Sequence, residues 1–79
     1  MNYELQMHNL NVYLDYEIRE TKKILEQLQK DLTNALKNKY TNTDCIYNLV
    51  QDIKYHIGQL DSYINTKDVL NIEKGKKYE

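Results

Sequence analysis

Ten mostly apolar residues recur every three or four positions along the first half of the chain, and no proline interrupts them. At ~100° per residue they fall on one side of an α-helix, which a strand of period two could not arrange. They are Tyr3, Met7, Leu10, Leu14, Ile18, Thr21, Leu25, Leu28, Leu32 and Leu36. The spacing predicts one helix over residues 3–39, about 55 Å long at ~1.5 Å per residue.

A polar segment over residues 40–44 separates this helix from a second apolar repeat. Thr41 and Asp44 have capping-box spacing, and Thr43 is an alternative N-cap. The repeat predicts a helix over residues 44–65 whose core positions follow a heptad. These positions are Ile46, Ile53 and Leu60 in one set, and Val50, Ile57 and Ile64 in the other. A short turn between two long amphipathic helices predicts an all-α antiparallel helical hairpin.

The remaining segment, from Thr66 onwards, carries weaker signals. Asp68 is a candidate N-cap for a short C-terminal helix over residues 68–74, which Gly75 would end. Residues 75–79 are expected to form a disordered tail. The chain, residues 1–79, is therefore predicted to be a single helical domain.

On these bounds the two helices differ in length, and the second covers the first only back to about Ile18. The stripe from Tyr3 to Leu14 is then expected to be uncovered, as an apolar contact surface. It would be covered by a second copy, by folding back of the 66–74 segment, or by a foreign partner. A chain of 79 residues without Phe or Trp has a thin core. We therefore predict a homodimer, assembled as a helical bundle, with residues 3–18 forming much of the interface.

Composition and charge narrow the functional classes. The net charge is −1 with both signs interspersed, so binding to nucleic acid or to a membrane surface is not expected. Cys45 is the only cysteine, as suits a reducing cytoplasm, which would be the host cytoplasm for a viral protein. Asn, Lys, Tyr and Ile total 34 of 79 residues, and their AT-rich codons indicate a low-GC bacterium, its phages and mobile elements, or a large DNA virus.

Residues that could carry catalysis or bind a metal are few. His8 and His56 lie on separate predicted helices, and neither a Cys-X-X-Cys nor a His-Glu-X-X-His spacing occurs. Asp52 and His56 are four apart, and are interpreted as a surface pair rather than a catalytic dyad. We therefore predict no enzyme activity, no metal site and no cofactor.

Two groups of residues are candidates for binding a partner. Leu5, Val12 and Tyr16 form a second apolar edge on the first helix, away from its core stripe. Gln51, Tyr55, Gly58 and Ser62 follow one another on the side of the second helix away from its core. Tyrosine is enriched at interfaces, and a glycine beside it would allow a partner backbone to approach closely.

The stretch Leu49–Lys54 resembles, in its distance from the turn, a signature of the aspartyl-phosphate phosphatases that act on sporulation response regulators. Those two-helix hairpins carry Ser-Gln-Glu-Leu-Asp on the second helix. Here Val50 stands in place of the Ser and Lys54 in place of the Asp on which the chemistry would rest. The resemblance implies an antiparallel hairpin that contacts response regulators, with most of the signature residues absent.

Three functions follow as hypotheses. The first is a non-enzymatic protein-binding module, such as a phage or mobile-element inhibitor or a small regulator that binds a host protein. The second is a dimeric nucleic-acid-binding regulator, which the neutral charge does not favour. The third, implied by the resemblance, is a phosphatase of response regulators.

Overall fold

The computed structural model describes residues 3–76, with side chains described from Tyr3 to Glu73, and it consists of two helices. Helix α1 spans Tyr3–Lys37 and helix α2 spans Thr43–Lys76. They pack side by side in opposite directions, in a rod of 60 × 16 × 16 Å. The predicted all-α antiparallel hairpin is confirmed.

The turn is held by two asparagine side chains. The Asn38 side-chain carbonyl accepts a hydrogen bond from the Tyr40 backbone N–H at 3.0 Å. The Asn42 side-chain carbonyl accepts one from the Asp44 N–H at 2.8 Å, and the Asn42 backbone carbonyl accepts the first bonds of α2. Asn42 is therefore the N-cap of α2, and the threonine caps predicted from the sequence are wrong by one residue in each direction.

Helix α2 is much longer than predicted, 34 residues against 35 in α1. The predicted end at residue 65 and the separate helix 68–74 are wrong, because the helix continues through both. The Thr66 hydroxyl donates to the Ser62 carbonyl at 2.9 Å, inside the helix. A short segment is not helical alone, but it becomes so when a partner helix is present to pack against. Of the tail predicted over 75–79, residues 75 and 76 belong to α2 and residues 77–79 lie outside the described residues.

The extension of α2 covers the N-terminal half of α1. Met7 and Leu14 are 8% and 3% exposed, and Lys67 of α2 forms an ion pair with Asp15 of α1. The uncovered stripe on which the 3–18 dimer interface was predicted is thus covered within the chain, by the 66–73 segment. Assembly as a dimer remains a prediction that needs another surface.

The contact between the helices, which we call the seam, follows a heptad spacing on both helices. The seam residues are Met7, Asn11, Leu14, Ile18, Thr21, Leu25, Leu28, Leu32 and Ala35 of α1, with Ile46, Leu49, Ile53, His56, Leu60, Tyr63, Lys67 and Leu70 of α2. All of them are buried or half-buried. Five of the eight seam residues of α2 are not among the predicted core positions: Leu49, His56 and Tyr63 replace predicted ones, and Lys67 and Leu70 lie beyond residue 65.

One of the two predicted core sets of α2 is wrong. Ile57 and Ile64 remain 44% and 36% exposed, and Val50 is half-buried. These three residues lie on a flank of the seam, and Leu49, His56 and Tyr63 take the place predicted for them. On α1, Tyr3, Leu10 and Leu36 of the predicted stripe are likewise exposed by 51%, 40% and 63%. They lie one position off the seam heptad or at its end.

The hairpin buries little of its own surface. No described side chain falls below 2% exposure, and the accessible surface is 6245 Å². A compact monomer of this mass would expose roughly 5,000 Å². Two helices have a seam but no enclosed core, so both flanks of the seam stay accessible along the whole rod.

Candidate protein-interaction site

Among the described residues, no three His, Cys, Asp or Glu side chains come together as they would around a metal ion. His56 does not pair with Asp52: its Nδ1 lies 3.1 Å from Oε1 of Gln59, and its ring meets the ring of Tyr55 edge-on, with centroids 5.2 Å apart. Cys45 is exposed and carries a free thiol. Over the same residues, neither helix has an apolar stretch long enough to cross a bilayer.

One open depression of about 550 Å³ lies along the outside of α1. It is lined by polar residues of this one helix, on successive turns: Glu26, Gln29, Lys30, Thr33 and Asn34. Ligand sites bury most of the ligand among apolar side chains. This depression offers no such enclosure.

The predicted partner-binding residues are exposed, but they do not form one surface. Leu5, Val12 and Tyr16 are 52%, 55% and 50% exposed. The Tyr16 ring also lies under the Arg19 guanidinium at 5.9 Å. Because Tyr16 is opposite the α1 seam, it points away from α2, with Leu5 and Val12 turned towards one flank.

The predicted partner-binding residues of α2 point in two directions. Gln51 and Gly58 are opposite the α2 seam and point away from α1, and Tyr55 and Ser62 turn towards the other flank. Tyr55 is 63% exposed, and its hydroxyl accepts a hydrogen bond from Gln59 at 3.1 Å. The two predicted groups therefore lie on opposite sides of the rod.

The seam divides the surface into two flanks of different charge, which is the feature that sequence reasoning missed. We call one flank the acidic face. It consists of Tyr3, Gln6, Leu10, Tyr13, Glu17, Glu20, Ile24, Gln27, Asp31 and Asn34 of α1, with Cys45, Asn48, Asp52, Tyr55, Gln59, Ser62, Thr66, Val69 and Glu73 of α2. Across the described side chains this face carries five carboxylates and no lysine or arginine. Lys23 reaches its edge from the outer side of α1, where it pairs with Glu20 at 3.5 Å.

Apolar and aromatic side chains are interleaved with these carboxylates. Tyr13, Tyr55 and Val69 are 52%, 63% and 57% exposed, and Leu10 and Ile24 are 40% and 43% exposed. Exposed aromatic area of this kind is typical of the central part of interfaces. The acidic face therefore combines contact area with a uniform charge.

Tyr63 joins the seam to the acidic face. Partial burial, together with the negative charge of Glu17 and a hydrogen bond to it, raises the pKa of the Tyr63 hydroxyl. A phenol is protonated at neutral pH, so this hydroxyl can donate the hydrogen bond to the carboxylate. Tyr63 therefore lies within electrostatic range of Glu17 and Tyr13, which both belong to the acidic face.

We call the other flank the mixed-charge face. It consists of Leu5, His8, Val12, Asp15, Arg19, Lys22, Glu26, Gln29, Thr33 and Leu36 of α1, with Tyr47, Val50, Lys54, Ile57, Asp61, Ile64, Asp68 and Asn71 of α2. Residues of both charges are interspersed here around the apolar column of Val50, Ile57 and Ile64. The net charge of −1 does not reveal this division, because it sums the charges of the acidic face and of the rest of the chain.

Gly58 offers a direct measurement on the outer side of α2. A Cβ built at this position meets nothing within 4 Å, and its φ is not positive. We expect Gly58→Ala to stabilise the protein by about 1 kcal/mol, because glycine has the lower helix propensity. Urea denaturation followed by circular dichroism measures the change, with Ser62→Ala as a second helical site. A destabilised Gly58→Ala would show that the glycine meets a constraint outside the hairpin.

No protein-family model matches this sequence, and the comparisons with curated proteins and with solved structures give no match either.

Proposed function

We propose that the protein is a non-catalytic binding module whose acidic face binds a host protein in the cytoplasm. The role would be that of a phage or mobile-element inhibitor, or of a small bacterial regulator. The observation that carries the proposal is the coincidence, on one flank, of exposed tyrosines and apolar side chains with carboxylates alone. A face of this kind favours a partner with basic residues set among apolar ones.

The aromatic residues supply the contact energy in this proposal. Interface hot spots are few and favour Tyr, Trp and Arg. Tyr13 and Tyr55 are more than half exposed, and the exposed apolar side chains of Leu10 and Ile24 belong to the same face. A partner side chain that covers these rings removes their apolar surface from water, which favours binding. The seam does not have to rearrange for this.

The carboxylates supply the selectivity. Glu17, Glu20 and Asp31 are half-buried, so their charges are less screened than those of fully solvated groups. A uniform charge steers oppositely charged partners and repels like-charged ones. The acidic face therefore disfavours nucleic acid, and it also disfavours another copy of itself.

A pair of peptides tests this proposal. One is an amphipathic helix of leucine and lysine, and the other has glutamate at every lysine position; binding is followed by fluorescence anisotropy and by NMR chemical-shift changes. We expect the basic peptide to bind and to shift resonances of Tyr13, Glu17 and Tyr55. Tyr55→Ala should weaken binding by about 2 kcal/mol, or roughly thirtyfold.

Tyr47→Ala is the matched control, because Tyr47 is 61% exposed on the same helix but turns towards the mixed-charge face. It should leave peptide binding unchanged. Tyr16→Ala then reports whether the outer side of α1 takes part, as predicted from the sequence. Equal losses in the Tyr47 and Tyr55 variants, or equal binding of both peptides, would contradict the assignment of the acidic face.

A further inference from the structure

We propose that the mixed-charge face binds a second copy of the same chain, in an antiparallel arrangement that forms a four-helix bundle. This proposal is independent of the proposed function, because it uses the opposite flank of the seam. It rests on a two-fold pattern in the residues of this face: one symmetry axis places apolar side chains against apolar ones and opposite charges against each other.

On α2 the axis passes at Ile57, the centre of the apolar column. Val50 and Ile64 lie seven residues before and after it, so rotation by 180° about an axis across the helix brings Val50 against Ile64 of the second copy. Lys54 lies three residues before Ile57 and Asp61 four residues after it. The same rotation therefore brings Lys54 towards Asp61 of the second copy, on either side of the column.

The contacts across the seam give the corresponding height on α1. Because the two helices are antiparallel, residues at the same height have numbers with a nearly constant sum. Asp15 contacts Lys67 and Glu17 contacts Tyr63, which gives sums of 82 and 80. Ile57 is thus level with residues 23–25 of α1. A two-fold axis at this height, near residue 24, brings each α1 residue against an α1 residue of the second copy. The numbers of the two residues then sum to about 48.

Two pairs on α1 meet this condition and are complementary. Lys22 comes against Glu26 of the second copy, an opposite-charge pair. Val12 comes against Leu36 of the second copy, and these side chains are 55% and 63% exposed in the single chain. A two-fold interface brings identical surfaces together, and the named pairs on both helices are complementary about one axis.

A two-fold axis parallel to the rod does not give the same complementarity. It would place α1 of the second copy over α2. Ile57 would then face the part of that helix that carries Lys22 and Glu26. The apolar column would then lie over charged groups, which would lose water without apolar contacts in exchange. The axis across the helices is therefore the one that the residues support.

The available area is sufficient for a stable dimer. One side of a rod of 60 × 16 × 16 Å presents about 960 Å², and a standard interface buries about 800 Å² on each partner. The acidic face of each copy then lies on the outside of the bundle, and the two acidic faces are on opposite sides. The dimer would thus present two copies of the proposed partner-binding face.

Sedimentation equilibrium of the full chain tests the proposal, with circular dichroism as the check on folding. We expect a dimer at micromolar concentration and a monomer for Ile57→Lys, because the axis brings the two introduced ammonium groups together. Ile24→Lys is the matched control, since Ile24 is 43% exposed against 44% for Ile57, at the same height on the acidic face. That variant should remain a dimer.

Charge exchange tests the register. Lys54→Asp and Asp61→Lys should each raise the dimer dissociation constant by about tenfold or more, and the double variant should recover most of the loss. A wild-type chain that is monomeric at high micromolar concentration would overturn the proposal. So would a dimeric Ile57→Lys, a dimer lost through Ile24→Lys, or a double variant no better than the single ones.

Discussion

Replacing Leu14 with alanine is expected to destabilise the hairpin by about 2–5 kcal/mol, the cost of removing a large buried side chain and leaving a cavity. Among the described residues, Leu14 is the most buried apolar one, at 3% exposure. It lies near the ion pair between Asp15 and Lys67 and is covered by the part of α2 beyond residue 65. Because small domains are stable by only about 5–15 kcal/mol, a loss of this size removes a large part of the total.

Urea denaturation followed at 222 nm measures this loss, and thermal unfolding gives a second value. Leu5→Ala is the matched control, because Leu5 is on the same helix and 52% exposed, so its truncation should change stability much less. Equal stability of the two variants would show that the C-terminal half of α2 does not cover Leu14.

Removing residues 66–79 is expected to unfold much of the N-terminal half of α1 as well as the end of α2. The deletion takes away Lys67 and Leu70, the seam residues that face this part of α1. Met7 and Leu14 would lose their cover, and an uncovered helical segment of this length is marginal in water. The fall in helical circular dichroism should therefore exceed the share of the residues deleted.

Hydrogen exchange locates the effect in that variant. Amides of residues 3–16 should exchange much faster than in the full chain, and amides near the turn should keep their protection. A shorter deletion that begins after Glu73 removes none of the seam residues and serves as the control. Unchanged protection of residues 3–16 after the longer deletion would mean that α1 is held by something other than α2.

Sequence reasoning reached the fold but not the flanks of the seam. Long stretches with helical spacing and a single polar break were sufficient to predict two helices in a hairpin. The choice between neighbouring heptad sets on α2 was made by hydrophobicity, which selected Ile57 and Ile64 over His56 and Tyr63. A half-exposed seam accepts His56 and Tyr63 because each keeps a polar contact, His56 with Gln59 and Tyr63 with Glu17.

The candidate surfaces depended on that choice. Tyr55 and Ser62 were predicted as partner-binding residues from their distance to the core stripe, and both belong to the acidic face. The absence of basic residues on that face became visible only when its members were known, since they come from both helices and are spread over the whole chain. Sorting the charges by flank would have found it from the sequence, given the correct seam.

Local properties of the chain account for its helices and its turn: the three- and four-residue spacing, the lack of proline, and the asparagines at positions 38 and 42. These act through bonds and contacts between near neighbours, so they can be read along the sequence. The length of α2, the residues of the seam and the separation of charge between its flanks depend on which side chains meet across 50 residues of chain, as Asp15 and Lys67 do. Only the packing of one helix on the other decides them, because burial against a distant partner outweighs the weak helical preference of residues 66–73.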